Sequence, residues 1–354
     1  MTTSAPARAS RALKIPTRLD RRYLPVVGTF VVLALMLVVG GSRYDNFVSP
    51  AVISNLFINN AHLIVLAVGM TFVILTGGID LSVGSVLALS TVVTAALLQA
   101  GWPPAVVIPL GVGAGTVIGL AHGVMVHYFQ VQPFVATLAG MFFARGLCFV
   151  IAPESIAIDN ASFVSLASWV QIFGGWRMSS GVLIALIVVG IGFLVLHFTR
   201  FGRTVYAVGG GEQSALLMGL PVARTKVLAY VVSGTCAGLG GLLFAMYSRS
   251  GYSLTGVAME LDAIAAVVIG GTLLTGGTGF VLGSVLGVLV LGLIQTIITF
   301  EGTLSSWWTK IVIGVLLLIF VALQRVLSLR STTYPPPPTH NEVKGQTRHG
   351  STSI

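Results

Sequence analysis

Asp80 is a carboxylate that the sequence places among apolar residues, directly after the glycine pair Gly77-Gly78. A charged side chain inside a membrane is costly, so such residues usually belong to a substrate pathway, a gate or a proton relay. The same carboxylate could instead cap the helix that begins there, by accepting hydrogen bonds from its first amides. Both interpretations stay open, and Ser82 is a neighbouring polar residue of the predicted pathway.

Other polar groups also occur within apolar segments. Asn59 and Asn60 lie side by side near the start of the second apolar run, which indicates either a wet face along a pathway or hydrogen bonds between helices. Arg145 is a basic residue near the middle of a later apolar run. We expect it either to pair with a carboxylate, for which Asp80 is a candidate, or to extend toward a membrane surface.

The glycine pair beside Asp80 belongs to a phrase that the chain uses twice. Residues 75–87 and 274–286 are identical at eight of thirteen positions with a constant offset of 199, and the second copy contains Gly276-Gly277. Each copy lies between two apolar runs. Glycine pairs at matching places in two halves of a membrane protein favour broken helices along a transport pathway, although a tight turn between two spans would use the same residues.

The composition indicates a protein that is embedded in a membrane. Of the 354 residues only 8% are charged, whereas a soluble domain carries roughly 25% charged residues. The net charge of +9 would suit nucleic acid, but the basic residues cluster at the ends of apolar runs, as they do in membrane proteins. Glycines that recur every four residues, such as Gly115 and Gly119, predict close packing of helices.

Ten apolar runs predict an all-α polytopic membrane protein with about ten transmembrane helices, an internal repeat and some helices that are broken or re-entrant. We expect a basic cytoplasmic N-terminus at 1–23, a transmembrane domain at 24–326 and a cytoplasmic, disordered tail at 327–354. Most basic residues fall on one side of this arrangement, which places both termini in the cytoplasm. The runs lie at 24–41, 53–75, 81–99, 105–129, 134–151, 181–198, 227–247, 261–274, 280–299 and 307–324.

The longest cytoplasmic loop, at 199–226, contains a short predicted helix that begins near Glu212 and that Gly219 and Pro221 end. A short helix with an apolar face and basic flanks favours docking to a partner protein, although it could also lie on the lipid surface. The expected contact residues are Gly211, Glu212, Ser214, Ala215, Met218 and Gly219.

Signatures of enzymes are absent from the sequence. There is no Gly-x-Ser-x-Gly elbow, no His-Glu-x-x-His pair and no Gly-x-x-x-x-Gly-Lys-[Ser/Thr] phosphate loop. No cluster of His, Cys and acidic residues has metal-ligand spacing. We therefore expect transport instead of catalysis, with no cofactor bound by this chain.

The segment at 76–85, Thr-Gly-Gly-Ile-Asp-Leu-Ser-Val-Gly-Ser, resembles the signature of ABC-importer permeases for ribose-, xylose- and galactose-type sugars. The Glu-x-x-Ala-x-x-x-Gly pattern that starts at Glu212 is similar to their coupling segment, with glutamate in place of the commoner asparagine. Further matches at 137–146 and 268–272 extend the resemblance over about residues 24 to 326. The family implies a bacterial inner-membrane location and three partners: an ATPase subunit that binds ATP and magnesium, a second permease subunit, and a periplasmic sugar-binding protein.

A more particular similarity covers residues 300–310 and 260–265, which resemble galactofuranose permeases of enteric bacteria. It implies galactofuranose as the best candidate for the sugar. On the predicted outer side, Glu260, Asp262 and Trp307 are candidates for contact with the binding protein, although the tryptophan would also suit an interfacial aromatic belt.

An alternative from another class is a secondary sugar transporter driven by an ion gradient. In such a protein Asp80 and Arg145 would act as a relay across the membrane. The two classes differ in their energy source, because only the ABC importer depends on ATP hydrolysis by a separate subunit.

Overall fold

The computed structural model describes residues 23–168, 170–303, 305 and 307–329, and this part of the chain is built mainly from helices. Most of the predicted N-terminus (1–23) and of the predicted tail (327–354) lies outside the described residues, which leave out 1–22 and 330–354. The helices are α1 (Leu24–Arg43), α2 (Pro50–Leu75), α3 (Val83–Gln99), α4 (Pro104–His127), α5 (Pro133–Ile151), α6 (Ala161–Ser168), α7 (Ser180–Phe198), α8 (Arg200–Gly210), α9 (Glu212–Leu217), α10 (Val222–Ser248), α11 (Met259–Ile269), α12 (Val281–Glu301) and α13 (Trp307–Leu329).

Each of the ten apolar runs coincides with a helix, namely α1 to α5, α7 and α10 to α13. Seven helices in the described part of the chain are long and apolar enough to cross a membrane: α1, α2, α4, α5, α7, α10 and α12. α3 and α11 are shorter, with 17 and 11 residues. The prediction of a helical membrane protein is confirmed, whereas the count of about ten crossings and the internal duplication stay predictions.

Two short antiparallel ribbons interrupt the helical pattern, and the sequence did not predict them. β1 (Ile156–Ala157) pairs with β4 (Ser250–Gly251), and β2 (Val170–Phe173) pairs with β3 (Trp176–Ser179). Strands of two to four residues are too short to produce a detectable alternation of polar and apolar residues. The ribbons lie in connections between helices and leave the predicted all-α fold class unchanged.

Local sequence signals set the ends of several helices. Pro50, Pro104 and Pro133 stand at the first position of α2, α4 and α5, where a helix amide needs no partner and the fixed φ of proline suits the helix. The Ser49 hydroxyl accepts a hydrogen bond from an amide in the first turn of α2 (3.4 Å). α12 ends before Gly302, which adopts the left-handed φ of +66° that glycine tolerates.

The core of the protein is formed by α2 together with α3, α4, α10 and α12. Most of α2 is buried, and α10 approaches α4 through glycines that leave no side chain between the two backbones. A Cβ atom added at Gly115 would lie 2.3 Å from the carbonyl oxygen of Gly234, and one added at Gly119 would lie 2.3 Å from that of Tyr230. The predicted glycine-mediated packing of helices is thereby confirmed.

The two glycine pairs meet at one end of the molecule. α2 ends at Leu75, whose carbonyl accepts a hydrogen bond from the amide of Gly277 (3.0 Å). Near the end of α8, Gly209 packs against the same carbonyl, so that a Cβ atom there would lie 1.8 Å from the oxygen. We call Leu75, Gly77, Gly209, Gly276 and Gly277 the glycine junction. The helices that precede both glycine pairs therefore end on the same side of the protein.

Candidate functional site

Polar side chains gather in a cavity of about 200 Å³ between α2 and α12. Asn60 is buried and donates a hydrogen bond to the Leu56 carbonyl (2.8 Å), and the α12 backbone comes close to it at Gly292. A Cβ atom on that glycine would lie 2.4 Å from Asn60 Nδ2, which explains why the position lacks a side chain. The structure thus places both predicted asparagines at a polar cavity, whose hydrophilic lining comprises Asn55, Asn59, Asn60, Gln295, Thr296 and Thr299.

A second cavity, of about 250 Å³, shares Asn60 and Gln295 with the first and extends it toward α11 and α13. Its charged wall is an ion pair. Lys310 Nζ lies 2.7 Å from Asp262 Oδ2 and 2.8 Å from Oδ1, so the ammonium donates to both carboxylate oxygens. The two side chains are 48% and 21% exposed, respectively, so both remain open to the cavity.

Several lining residues were missed by the sequence analysis, and some had a readable signal. The missed Asn55 lies four residues before the predicted Asn59 on α2, and the missed Gln295 and Thr299 are four residues apart on α12. This spacing places each pair on one helix face. A search for polar residues at that spacing within apolar runs would have found them. The pairing of Lys310 with Asp262 had no such signal, because 48 residues separate the two in the chain.

The exposed faces of α1, α4, α5 and α7 are mainly apolar, which distinguishes them from the polar cavities. A membrane protein presents apolar side chains to lipid and keeps polar ones for contacts with protein or water. Large exposed apolar residues on α1, α4, α5 and α7 include Phe30, Val31, Leu35, Val38, Leu110, Val117, Phe142, Phe143, Val150, Ile187, Ile191 and Leu194.

The predicted pathway residues therefore fall into two separate groups. Asn60 precedes Leu75 by fifteen residues of α2, which corresponds to about 22 Å of helix at about 1.5 Å per residue. Gly77, Gly276 and Gly277 lie at the glycine junction, and Gly78 lies against the Tyr230 hydroxyl, 2.5 Å from where its Cβ would stand. The glycine pairs are thus closer to α8 than to the polar cavities.

Asp80 is buried inside the protein, where hydroxyl and amide groups surround its carboxylate. Its Oδ1 accepts hydrogen bonds from the Ser82 amide (3.0 Å) and the Ser82 hydroxyl (2.6 Å), and its Oδ2 accepts one from the Ser233 hydroxyl (2.7 Å). His122 Nδ1 lies 3.5 Å from the Ser82 hydroxyl oxygen. The carboxylate therefore ties Ser82, which stands just before α3, to α10. No side chain caps the first turn of α3, so the predicted cap is not formed, and a pathway role for Asp80 stays a prediction.

Arg145 binds backbone carbonyls of the irregular segment that precedes α11. Its guanidinium donates to the carbonyls of Ser253 and Thr255, the latter at 2.8 Å. The proposed pairing of Arg145 with Asp80 is not what the structure displays, since the partners of Asp80 are Ser82 and Ser233. Arg145 instead satisfies carbonyls that no helix or strand engages.

The predicted coupling helix is present as α9, which begins at Glu212 after Gly211 and ends at Leu217. Lys226 Nζ lies 2.6 Å from Glu212 Oε2 and ties α9 to α10. The chain then turns at Gly219, whose φ is +74°. These features confirm the short helix and its glycine end, and they hold it against the glycine-bearing α8.

One side of α9 faces the protein and the other faces outward. Ala215 is fully buried against Val208 and Val222. Met218 follows the last residue of α9, and its amide donates a hydrogen bond to the carbonyl of Ser214 (3.1 Å). The outward residues form an apolar surface at Leu216, Leu217 and Met218, which are 54%, 90% and 66% exposed.

The candidates for contact with a binding protein lie in different surroundings. Glu260 approaches the start of α3, where a Cβ atom on Gly84 would be 2.4 Å from Glu260 Oε2. Asp262 faces the second cavity, and Trp307 is 77% exposed at the start of α13. Among the residues that the structure describes, no group of three or more His, Cys, Asp and Glu side chains is arranged to hold a metal ion.

Comparisons with known proteins agree with this architecture. Residues 52–321 match a family described as branched-chain amino acid transport system / permease component. The inner membrane ABC transporter permease protein YjfF of Escherichia coli (strain K12) is 48% identical over 312 residues, which are 87% of this chain and 94% of that protein. No solved structure matches the chain.

Two further relatives carry the names of sugars. The fructose import permease protein FruG of Bifidobacterium longum (strain NCC 2705) is 43% identical over 92% of this chain and 97% of its own length. The ribose import permease protein RbsC of Bacillus subtilis (strain 168) is 38% identical over 84% of this chain and 92% of its own length. With most of its length matched, the chain belongs to the branched-chain amino acid transport system permease family and, within it, to the sugar ABC permeases.

Proposed function

We propose that this chain forms half of the sugar pathway of an ATP-driven importer, opposite a second permease subunit of the same or a related sequence. The single observation that supports this most directly is the set of polar cavities on α2, α11, α12 and α13, whereas α1, α4, α5 and α7 expose many large apolar side chains. A face that carries asparagines, a glutamine and an ion pair is unsuited to lipid. It suits a water-containing passage that a second subunit closes.

The surface at Leu216, Leu217 and Met218 is proposed to dock into the separate ATPase subunit. Exposed apolar residues on a short helix next to an ion pair fit a protein groove better than water. The support for coupling is the contact between α8 and the glycine junction, because movement of α8 would reach the ends of α2 and of the 272–280 loop directly.

The proposed topology has about ten crossings with both termini in the cytoplasm, and the two copies of the repeated phrase run in the same direction. Support comes from helices at all ten apolar runs and from the glycine pairs, which lie at one end of the molecule. The ring of Tyr23, just before α1, stacks on Phe280 with centroids 5.0 Å apart. That contact places the start of α1 at the same end as α8 and α9.

For the transported sugar we propose galactofuranose, delivered by a periplasmic binding protein. The support is the similarity of residues 300–310 and 260–265 to galactofuranose permeases. Relatives named for ribose and fructose agree with a small monosaccharide as the substrate class. Trp307, exposed at the start of α13, remains our candidate for contact with the binding protein.

The test is reconstitution of this chain in lipid vesicles with its ATPase subunit, its second permease subunit and its binding protein. Uptake should require ATP, stop with a hydrolysis-deficient ATPase, and continue after the proton gradient is collapsed. Competition among galactose, ribose and fructose would rank the sugars. Uptake that needs an ion gradient and ignores ATP would refute the proposal and support a secondary transporter.

A further inference from the structure

We infer that Asp262 and Lys310, together with Asn60 and Gln295, form a sugar-contact site part way along the pathway. The inference rests on the proposed function and adds to it one site and its ligand class, an uncharged monosaccharide held through its hydroxyl groups. It offers a second role for Asp262, which we predicted to contact the binding protein, because this carboxylate lines the second cavity.

The cavity is set back from the end of the protein at which α2 begins and α12 ends. Asn60 lies ten residues into α2 and Gln295 lies six residues before the end of α12. At about 1.5 Å per residue these positions are about 15 Å and about 9 Å along the helices. Tyr44 and Glu301 mark the outer edge, where the tyrosine hydroxyl donates to the carboxylate. A protein that docks on this edge would meet those residues before Asp262.

The ion pair keeps unused hydrogen-bonding capacity toward the cavity. Each Asp262 oxygen accepts from Lys310 and has a further lone pair, and the ammonium has three hydrogens to donate. The amides of Asn60 and Gln295 can add donors and acceptors on the same wall. A sugar hydroxyl both donates and accepts, so neighbouring hydroxyl groups can bind two of these polar atoms together.

The apolar side of the same cavity comes from Leu63, Leu291 and Ile313. Ring carbons of a monosaccharide can lie against these side chains while its hydroxyl groups face the polar wall. Because Asp262 and Lys310 neutralise each other, the site favours an uncharged ligand over a cation or an anion. Asp262, Lys310 and Asn60 already have protein partners, so their contact with sugar stays weak enough for release, as a pathway requires.

Lysine labelling of the assembled transporter tests this directly. The chain has four lysines, and two of them form ion pairs. Lys310 pairs with Asp262 at the second cavity, and Lys226 pairs with Glu212 beside α9, outside that cavity. We would label vesicles with an amine-reactive reagent in the presence and absence of D-galactose, whose solutions contain the furanose ring, and with D-ribose and D-fructose. Mass spectrometry should find labelling of Lys310 reduced several-fold by the transported sugar, with Lys226 unchanged.

A second measurement uses Asp262→Asn, which preserves size and removes the charge. With sugar-loaded binding protein, the variant should hydrolyse ATP at nearly the wild-type rate but move roughly tenfold less sugar per ATP, the factor expected for one charge-assisted hydrogen bond. The matched control is Glu154→Gln, which removes an exposed carboxylate between α5 and β1, outside the cavity. This control should keep the wild-type ratio of sugar to ATP.

The outcomes separate the inference from the proposed function. Sugar that leaves Lys310 labelling unchanged, or that lowers labelling of Lys226 equally, in vesicles with normal uptake would overturn the contact site and leave the importer intact. An Asp262→Asn variant with normal sugar per ATP would do the same. Wild-type vesicles without ATP-dependent uptake would instead refute the proposed function. If Asp262→Asn does not assemble, the labelling of Lys310 in the wild-type complex still tests the contact site.

Discussion

Replacement of Gly209 by alanine is expected to uncouple ATP hydrolysis from transport. The added Cβ atom would stand 1.8 Å from the Leu75 carbonyl oxygen and 2.4 Å from the Gly277 nitrogen, the two atoms that bond across the glycine junction. Real Cβ atoms essentially never come within 3.0 Å of such neighbours. The distance between the new Cβ and the Leu75 oxygen must therefore grow from 1.8 Å to at least 3.0 Å, so α8 moves away by about 1.2 Å. The obstructing atoms are backbone, and no side chain can rotate away to relieve the overlap.

The size of the effect follows from the cost of that overlap. Overpacking of this kind costs about 1–3 kcal/mol, and the strain falls on the contact through which α8 would act on both glycine pairs. If about 2 kcal/mol of coupling is lost, the stimulation of ATP hydrolysis by loaded binding protein should fall roughly 30-fold toward the basal rate. Sugar uptake should fall by a similar factor.

The neighbouring glycine supplies the matched control. A Cβ atom at Gly210 meets nothing within 4 Å, although the residue lies next to Gly209 on the same helix. Both alanine variants would be purified with the ATPase subunit and compared for ATP hydrolysis and uptake in vesicles. Equal behaviour of Gly209→Ala and Gly210→Ala in complexes that assemble normally would refute the idea that the junction transmits movement.

Three further predictions concern docking, the buried Asp80 carboxylate and helix packing. Leu217→Asp should weaken co-purification of the ATPase at least tenfold, because the Leu217 side chain, 90% exposed in this chain, would no longer gain about 1.5–3 kcal/mol from apolar burial in the complex. If the variant binds the ATPase as well as the wild type does, the docking surface lies elsewhere. Asp80→Ala should lower the thermal unfolding midpoint in detergent by several degrees, because it leaves the buried Ser233 hydroxyl without its acceptor at a cost of about 1–3 kcal/mol. An unchanged midpoint would contradict a structural role for this carboxylate. Gly115→Leu should abolish assembly, as measured by size-exclusion chromatography. The control Gly113→Leu should assemble normally, because a Cβ atom at Gly113 meets open space. Equal yields of the two variants would mean that α4 does not pack through Gly115.

The positions of the helices followed from the sequence because burial in lipid imposes a long apolar run on every span. The coupling helix was also predictable, since Gly211, Gly219 and Pro221 bound it by local backbone chemistry. The two ribbons were not, because strands of two to four residues take their stability from a partner that is distant in the chain.

The candidate site was only partly predictable for the same physical reason. Asn59 and Asn60 could be recognised as polar residues in an apolar run, but their partner Gln295 lies on another helix. The ion pair of Asp262 with Lys310 and the bond from Gly277 to Leu75 each join segments that only the tertiary fold brings together. Local patterns carry no information about such contacts.

The polar residues on α2, α12 and α13 should make the chain unstable in the membrane before it assembles with a second subunit. A solitary copy in the bilayer would hold Asn59, Gln295 and Lys310 against acyl chains, where polar groups lack hydrogen-bonding partners. We therefore expect the cellular abundance of this chain to follow that of its companion subunit, and an excess made alone to be degraded soon after synthesis.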